Sequence, residues 1–310
     1  MNNLLNKLLS GGLPITEYST VTIPQDIHER VVFEFDHQKM DISSQQWLLC
    51  LDPVIFGIWL PIDKAISLPN ERTDNRIRFT DAGSNNKDIA VLKLDYFNKI
   101  KEPDGVLVLL KLTSVSVHHV NFIKTRVLFL RHYKKPEHSF KKLKSFAAAY
   151  SYPRKVRLIS YGNQADFNIF PMDLVGEIPF VKRYVFGLRH TNTSLKGIID
   201  SGKIVVSEVP FQYKDLIYQL GKHHKNSISK SSLPFEIIRS ELFNFPVPVW
   251  SNSYKEVKIK NTLNLGSHML LWGEVLHEKI LSHPEGHLFH VHFLHYLHQV
   301  KAGNNYPLVL

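Results

Sequence analysis

Residues 156–210 read VRLISYGNQADFNIFPMDLVGEIPFVKRYVFGLRHTNTSLKGIIDSGKIVVSEVP. Apolar β-prone segments alternate there with polar turns, and that alternation steers the chain toward a β-built fold. In order it is strand, polar turn, strand, strand, polar loop, short helix, strand. Gly162 and the stretch from Asn163 to Asn168 make the first turn, glycine accepting the backbone bend. Residues 180–188 hold a Tyr and two Val and suit a strand, because such side chains pack well on a pleated surface. Arg189, His190, Thr191, Asn192, Thr193 and Ser194 then bring six polar side chains into one loop. Residues 195–200 predict a short helix, closed by Ser201-Gly202. A basic, hydroxyl-rich loop that leads into a helix start can hold a phosphate through hydroxyls and backbone N–H groups.

The rest of the 310 residues leaves room for two domains or one large one. Strands are expected at 31–35, at 47–51 and 54–60 on either side of Asp52-Pro53, at 105–117, 125–130, 255–259 and 288–295, with a weaker one at 89–94. A turn followed by a strand is expected over 265–275. Helices are expected at 139–150, where Phe140, Leu143, Phe146 and Ala147 form one stripe, and at 213–221 with Leu216, Ile217 and Leu220 inward. A brief amphipathic piece precedes Gly11-Gly12. Residues 69–86 read as a long exposed loop, 132–138 as a linker and 223–232 as a basic, serine-rich loop. Many strands and few, short helices predict a mainly β chain, a barrel or sandwich with attached helices. No internal repeat of about 20–50 residues is visible.

The formal charge is +10, from 38 Lys and Arg against 28 Asp and Glu, with 17 His besides. That balance suits an anionic ligand, a nucleic acid or an acidic surface, and equally a solvated basic face. Lys141, Lys142 and Lys144 lack interleaved aromatic platforms, so they read as solvated rather than as a nucleic-acid helix. Cys50 is the sole cysteine, which excludes an intrachain disulfide and a thiolate cluster. Within WLLCL it reads as a small buried hydrophobe. No run of about 18 apolar residues occurs, and the N-terminal segment is too short and polar for a signal peptide, so no membrane span is expected and the cytoplasm is the default. P-loop, dinucleotide-fold and nucleophile-elbow motifs are absent. His290 and His292 share a strand face, with His283, His287, His295 and His298 nearby, which raises a metal-binding reading. No cysteine or well-spaced carboxylate completes that set.

Five segments, taken in order, resemble the flavin reductase-like family of FMN-binding split barrels, which includes flavoredoxins. The resemblance runs over residues 140–297. Ser145-Phe146-Ala147 stands where the family has a K-F-A element. Asn168-Ile169-Phe170-Pro171 stands for its N-I-x-P segment, after a strand and a G-x-x-N turn. Residues 189–194 and Ser201-Gly202 match its basic loop and helix end. Gly266-Ser267-His268 through Gly273-Glu274-Val275 resembles its G-D-H and G-E-V stretch. The resemblance implies a six-stranded antiparallel split barrel, a homodimer with FMN at its interface, and hydride transfer between NADH or NADPH and a flavin. By position, Asn163, Asn168, Ile169, Phe170, Pro171, Met172 and Asp173 would border the flavin ring. Arg189, His190, Thr191, Asn192 and Ser194 would hold its ribityl and phosphate groups, and His268 would be the catalytic candidate. Two departures stand out: the bulky 167–173 segment replaces a small, hydroxyl-rich one, and Ser267 replaces an aspartate.

The implied organisation is a β-rich N-terminal region (1–134), a flavin reductase-like domain (135–302) and a tail (303–310). The N-terminal region is either a diverged second barrel or a cap. Two other functions compete: a non-enzymatic interaction protein on the same barrel, and a His-rich metal-binding protein.

Overall fold

The computed structural model describes residues 4, 8, 18–23, 27, 29–36, 38–62, 74–81, 87–132, 139–162, 167–225, 228, 233–283, 286–304 and 308–309. After β1 (Tyr18–Ile23), the chain builds a first sheet from β2 (Glu29–Phe35), β3 (Gln38–Asp41), β4 (Gln46–Leu51), β5 (Val54–Pro61), β6 (Asn75–Asp81), β7 (Lys87–Glu102) and β8 (Gly105–Val117). Two helices follow, α1 (Phe122–His132) and α2 (Phe140–Ala149), then the short β9 (Arg154–Lys155). The second sheet takes β10 (Arg157–Gly162), β11 (Phe167–Met172), β12 (Val175–Ile178), β13 (Arg183–Arg189) and, after α3 (Leu195–Ser201), β14 (Lys203–Glu208). An insertion then holds α4 (Lys214–Gln219), a 3-10 turn (Leu220–His224), β15 (Ile237–Arg239) and β16 (Pro246–Pro248). The long hairpin β17 (Ser253–Asn264) and β18 (His268–Ile280) completes the second sheet, before β19 (His287–His292), α5 (Phe293–Lys301) and β20 (Leu308–Val309).

Each main sheet has seven strands, and the two orders correspond strand for strand. The first runs β3-β2-β6-β7-β8-β5-β4 and the second β11-β10-β14-β17-β18-β13-β12. Every pairing in both is antiparallel, and both long hairpins carry register irregularities of the bulge type. The two ends of the chain join in a smaller sheet, β20-β1-β19-β9.

Sequence pattern explains where each sheet buries its faces. Strand β2 alternates, with Val31, Phe33 and Phe35 inward. Strands β4 and β5 are apolar on both faces because both are covered. Leu48, Phe56 and Ile58 point into the first sheet's interior. Leu49, Ile55, Trp59, Leu107 and Leu109 form the opposite face and pack against Val185, Leu270 and Trp272 of the second sheet. The approach is closest at Gly187, where an added Cβ would lie 1.8 Å from the Leu49 carbonyl oxygen. Only a residue without a side chain lets β4 cross β13 at that distance.

Three expectations are corrected. Residues 125–130 lie in helix α1, not a strand: Thr125, Leu128 and Phe129 are buried at helical spacing, and the Asn121 side chain accepts the Lys124 N–H at 2.7 Å. The expected strand 288–295 ends at His292, whose Nδ1 accepts the Leu294 N–H at 3.1 Å and starts α5. Within the expected loop 69–86 lies β6, with Ile77 and Phe79 buried between β2 and β7, while 69–73 and 82–86 fall outside the described residues. The N-terminal amphipathic piece and most of the 132–138 linker also fall largely outside them.

Candidate functional site

A cavity of about 610 Å³ opens where the ends of β11 and β13, the start of β18, the insertion and Leu51 of the first sheet converge. Strand β13 ends at Arg189, directly opposite His268, the first residue of β18. The following turn is tied inward. The Asn192 N–H donates to the Arg189 carbonyl at 3.0 Å, and the Thr193 N–H donates to the His224 carbonyl at 3.1 Å. Asn168, fully buried, donates through Nδ2 to Ser194 Oγ and to the His223 carbonyl, both at 2.8 Å. Its Oδ1 accepts the Ile169 N–H at 3.0 Å. One amide thereby ties β11, the loop after β13 and the insertion together, and all its principal bonding capacity is used internally.

The walls are mostly apolar, from Leu51, Pro171, Met172, Leu174, Leu188 and Ile217. Arg189, Lys222 and Lys225 also line the cavity. Among the described residues none of these three cations takes part in a salt bridge. Asp173 does have partners: His290 Nδ1 stands 2.9 Å from its Oδ2, and Tyr218 OH stands 3.1 Å from the other ring nitrogen of His290. Burial pushes the Asp173 carboxyl up, but hydrogen bonds from His290 and Tyr150 outweigh it and leave the group below its ordinary value. It stays an anion, held by these hydrogen bonds.

His268 is buried, and its pKa is pushed down to about 4 by that burial and by the neighbouring Arg189. It is therefore a neutral imidazole near pH 7. The Asp52 N–H donates to Ser267 Oγ at 3.0 Å, and Ser267 Oγ lies 2.7 Å from His268 Nδ1. Cys50 Sγ lies 3.5 Å from the Leu265 carbonyl, which its S–H can reach. Ser267 Oγ, accepting from Asp52, keeps a hydroxyl hydrogen that can donate to Nδ1, the arrangement that leaves the ring proton on Nε2. The residue in place of the expected aspartate is thus the hydrogen-bond partner of the histidine beside it. Burial likewise holds His224 below its ordinary pKa.

Of the residues expected from sequence, Pro171, Met172, Asp173, Arg189, Thr191, Asn192 and His268 line this one cavity. Asn168 and Ser194 lie behind it as bracing, and Ile169 and Phe170 are fully buried, the Phe170 ring 5.1 Å from that of His224. His190 is exposed and faces Asn264 at 3.3 Å. Asn163 lies outside the described residues. Sequence reasoning missed Leu51, Tyr218, Lys222, His224 and Lys225, and it raised His290 only as a metal-ligand candidate. Only the run Lys222-His223-His224-Lys225, a dense basic cluster after a helix, carried a signal for some of them.

The metal-binding reading finds no support in this geometry: among the described residues no three His, Cys, Asp or Glu side chains converge on an ion-sized site. His290 faces Asp173, His295 faces Glu29 at 2.7 Å, His298 faces Asp81 at 2.9 Å, and His292 caps α5. Among the described residues, no helix is long and apolar enough to cross a membrane.

No protein-family model matches the chain, and no curated protein matches it. Solved structures do. An FMN-binding protein from Thermus thermophilus is 17% identical over 42% of this chain and 73% of its own, with a TM-score of 0.38. A flavoredoxin from Methanosarcina acetivorans is 19% identical over 41% and 69%, TM-score 0.38. An NADH:FAD oxidoreductase from Streptomyces globisporus is 13% identical over 50% and 90%, TM-score 0.44. Over part of its length the chain resembles the flavin reductase-like split barrels, and it is a mainly β protein of antiparallel sheets.

Proposed function

We propose that the cavity binds a flavin, FMN foremost, and that the chain is a flavin reductase-like oxidoreductase using NADH or NADPH. One observation carries this reading: an apolar-walled cavity of ligand size is lined by three cations, Arg189, Lys222 and Lys225, that have no acidic partner among the described residues. A planar apolar ring suits the walls, and a phosphate suits the cations and the Thr191 hydroxyl. A bound flavin would supply the hydride chemistry itself, while the protein supplies orientation and electrostatics. Asp173 stays an anion at the cavity wall, where its hydrogen bonds with His290 and Tyr150 fix its carboxylate. His268 offers a neutral N–H donor at the mouth of β18, suited to a carbonyl or ring nitrogen.

The split-barrel resemblance expects a homodimer with the ligand between subunits. Here Leu51 of the first sheet lines the cavity of the second. We assign the partner's place to the first sheet, as a diverged second barrel, and expect one flavin per chain.

The test is a titration of the purified chain with FMN and with riboflavin, followed by flavin fluorescence. Saturation at one FMN per chain, with weaker riboflavin binding, is the expected result. A colourless protein that takes up no added FMN would overturn the proposal. Bleaching of the bound flavin by NADH or NADPH then separates an enzyme from a binding protein on the same scaffold.

A further inference from the structure

A second cavity, of about 440 Å³, lies between the start of β4 and the start of β12. Gln46, Trp47, Tyr152, Arg154, Lys155 and His287 line it, together with Ser44. Asp173 borders both this cavity and the one described above.

Arg154 is the unusual residue. It is only 5% exposed, with its guanidinium 5.6 Å from the Phe56 ring and 5.6 Å from the Tyr152 ring. Its Nη1 donates to Gln46 Oε1 at 2.7 Å and its Nη2 to the Ala149 carbonyl at 3.2 Å. Both acceptors are neutral. Among the described residues its Nε has no partner, and neither has Nε2 of Gln46, itself 3% exposed. Among the described residues no carboxylate lies within ion-pair distance of it. Buried arginines are ordinarily paired, because a desolvated cation without a counter-charge is costly.

The acids nearby are engaged elsewhere. Glu208 lies 2.5 Å from both Lys155 and Arg157. Glu177 pairs with Lys255 and accepts the Tyr184 hydroxyl at 2.8 Å. Asp173 faces His290. Burial holds Arg154 down to about 10 and lowers Lys155 and His287 as well, while Tyr152, Tyr150 and Asp173 act in the opposite direction on Arg154 without pairing with it.

We propose that this second cavity is an anion site that receives the phosphate group of a small molecule, Arg154 supplying the charge and Gln46 Nε2 and the Ser44 hydroxyl supplying further hydrogen bonds. Trp47, Tyr152 and Phe289 provide apolar surface for the body that carries the phosphate. The inference rests on Arg154 and its surroundings and does not depend on a flavin occupying the first cavity.

The experiment measures thermal unfolding of the full chain in inorganic phosphate against chloride at matched ionic strength. A ligand that binds the folded state raises the melting temperature with concentration. Gln46→Glu puts a carboxylate where Arg154 already donates. It should leave the melting temperature in chloride equal to or above that of the wild type and weaken phosphate about thirtyfold or more, as expected when a buried charge acquires an internal partner. Arg189→Met removes a cation of the first cavity, and the phosphate response that survives it is the part assigned to the second. No phosphate response in the wild type, or an undiminished one in Gln46→Glu, overturns the proposal. A response lost in Arg189→Met but kept in Gln46→Glu assigns the anion to the first cavity, which leaves the flavin reading standing and this one refuted.

Discussion

The two seven-stranded sheets share one strand order and differ at the positions that matter for a ligand. Strand β5 carries Phe56-Gly57 and β13 carries Phe186-Gly187; the glycines pair with Leu109 and Leu270 respectively. Two residues further, β5 has Trp59 opposite Leu107, and β13 has Arg189 opposite His268. In the first sheet that register position is filled with an indole, stacked on Trp272 at 5.9 Å and 20°. In the second it is a cation beside a neutral imidazole, facing a cavity. The second sheet also carries the insertion between β14 and β17, which builds one wall with Ile217, Lys222 and Lys225, whereas in sequence only positions 82–86 separate β6 from β7. The same architecture is thus used once to seal an interface and once to keep a site open.

The sharpest break of this comparison is Trp59→Ala. Trp59 is 3% exposed between the sheets, so its loss should cost about 3–5 kcal/mol in chemical denaturation. FMN affinity per folded molecule should hardly change. A small stability loss would mean that the sheets do not depend on this plug.

The glycines offer the next contrast. Gly187→Ala drives a methyl against the Leu49 carbonyl, a backbone atom, whereas Gly57→Ala meets the end of the Leu49 side chain at 2.6 Å. The first should lower stability by about 3 kcal/mol and the second by about 1 kcal/mol, the ends of the usual overpacking range. Equal losses in urea unfolding would contradict the close backbone crossing.

Arg189→Met should reverse the pattern of Trp59→Ala. Stability stays within about 0.5 kcal/mol because Arg189 is exposed, while FMN binding weakens by about 1.5–3 kcal/mol and falls toward that of riboflavin. An unchanged FMN-to-riboflavin ratio would remove Arg189 from the phosphate site.

A further effect is on acid stability. Burial, and then neighbouring His295, hold His292 down to about 3, against about 6.5 for a free imidazole. Between those values the unfolded chain binds the proton and the folded chain does not, so its stabilising contribution is present above about pH 6.5 and is lost as pH falls toward 3. At pH 5 the loss should be about 1–2 kcal/mol. His292→Asn, which keeps a capping oxygen, should flatten this part of the stability profile, and a profile identical to wild type would count against the assignment.

How much was legible in the chain differs between these regions. The strands of residues 47–60 and 105–117 were readable because apolar runs bounded by Asp52-Pro53 and Asp104-Gly105 have few alternatives. Helix α1 was not, since TRVLFL suits a strand by composition, and only the cap at Asn121 and burial of Leu128 and Phe129 against α2 and α5 decide for a helix. In the site, the basic loop after β13 and the histidine at the head of β18 were visible as motifs. The role of Asn168 was not, because a buried amide and a ligand-facing one look the same until its partners Ser194 and His223 are located.

Sequence alone determined that the chain is mainly β, that it lacks a thiolate cluster, and which short segments resemble a flavin site. These follow from side-chain chemistry and from periods of a few residues. Tertiary structure decided that the strands of 29–117 repeat the order of the later sheet, that Leu51 and the 214–225 insertion wall the cavity, and that Arg154 is buried without a counter-charge among the described residues. Such facts depend on which distant segments meet, and hydrophobic pattern does not encode that pairing one residue at a time.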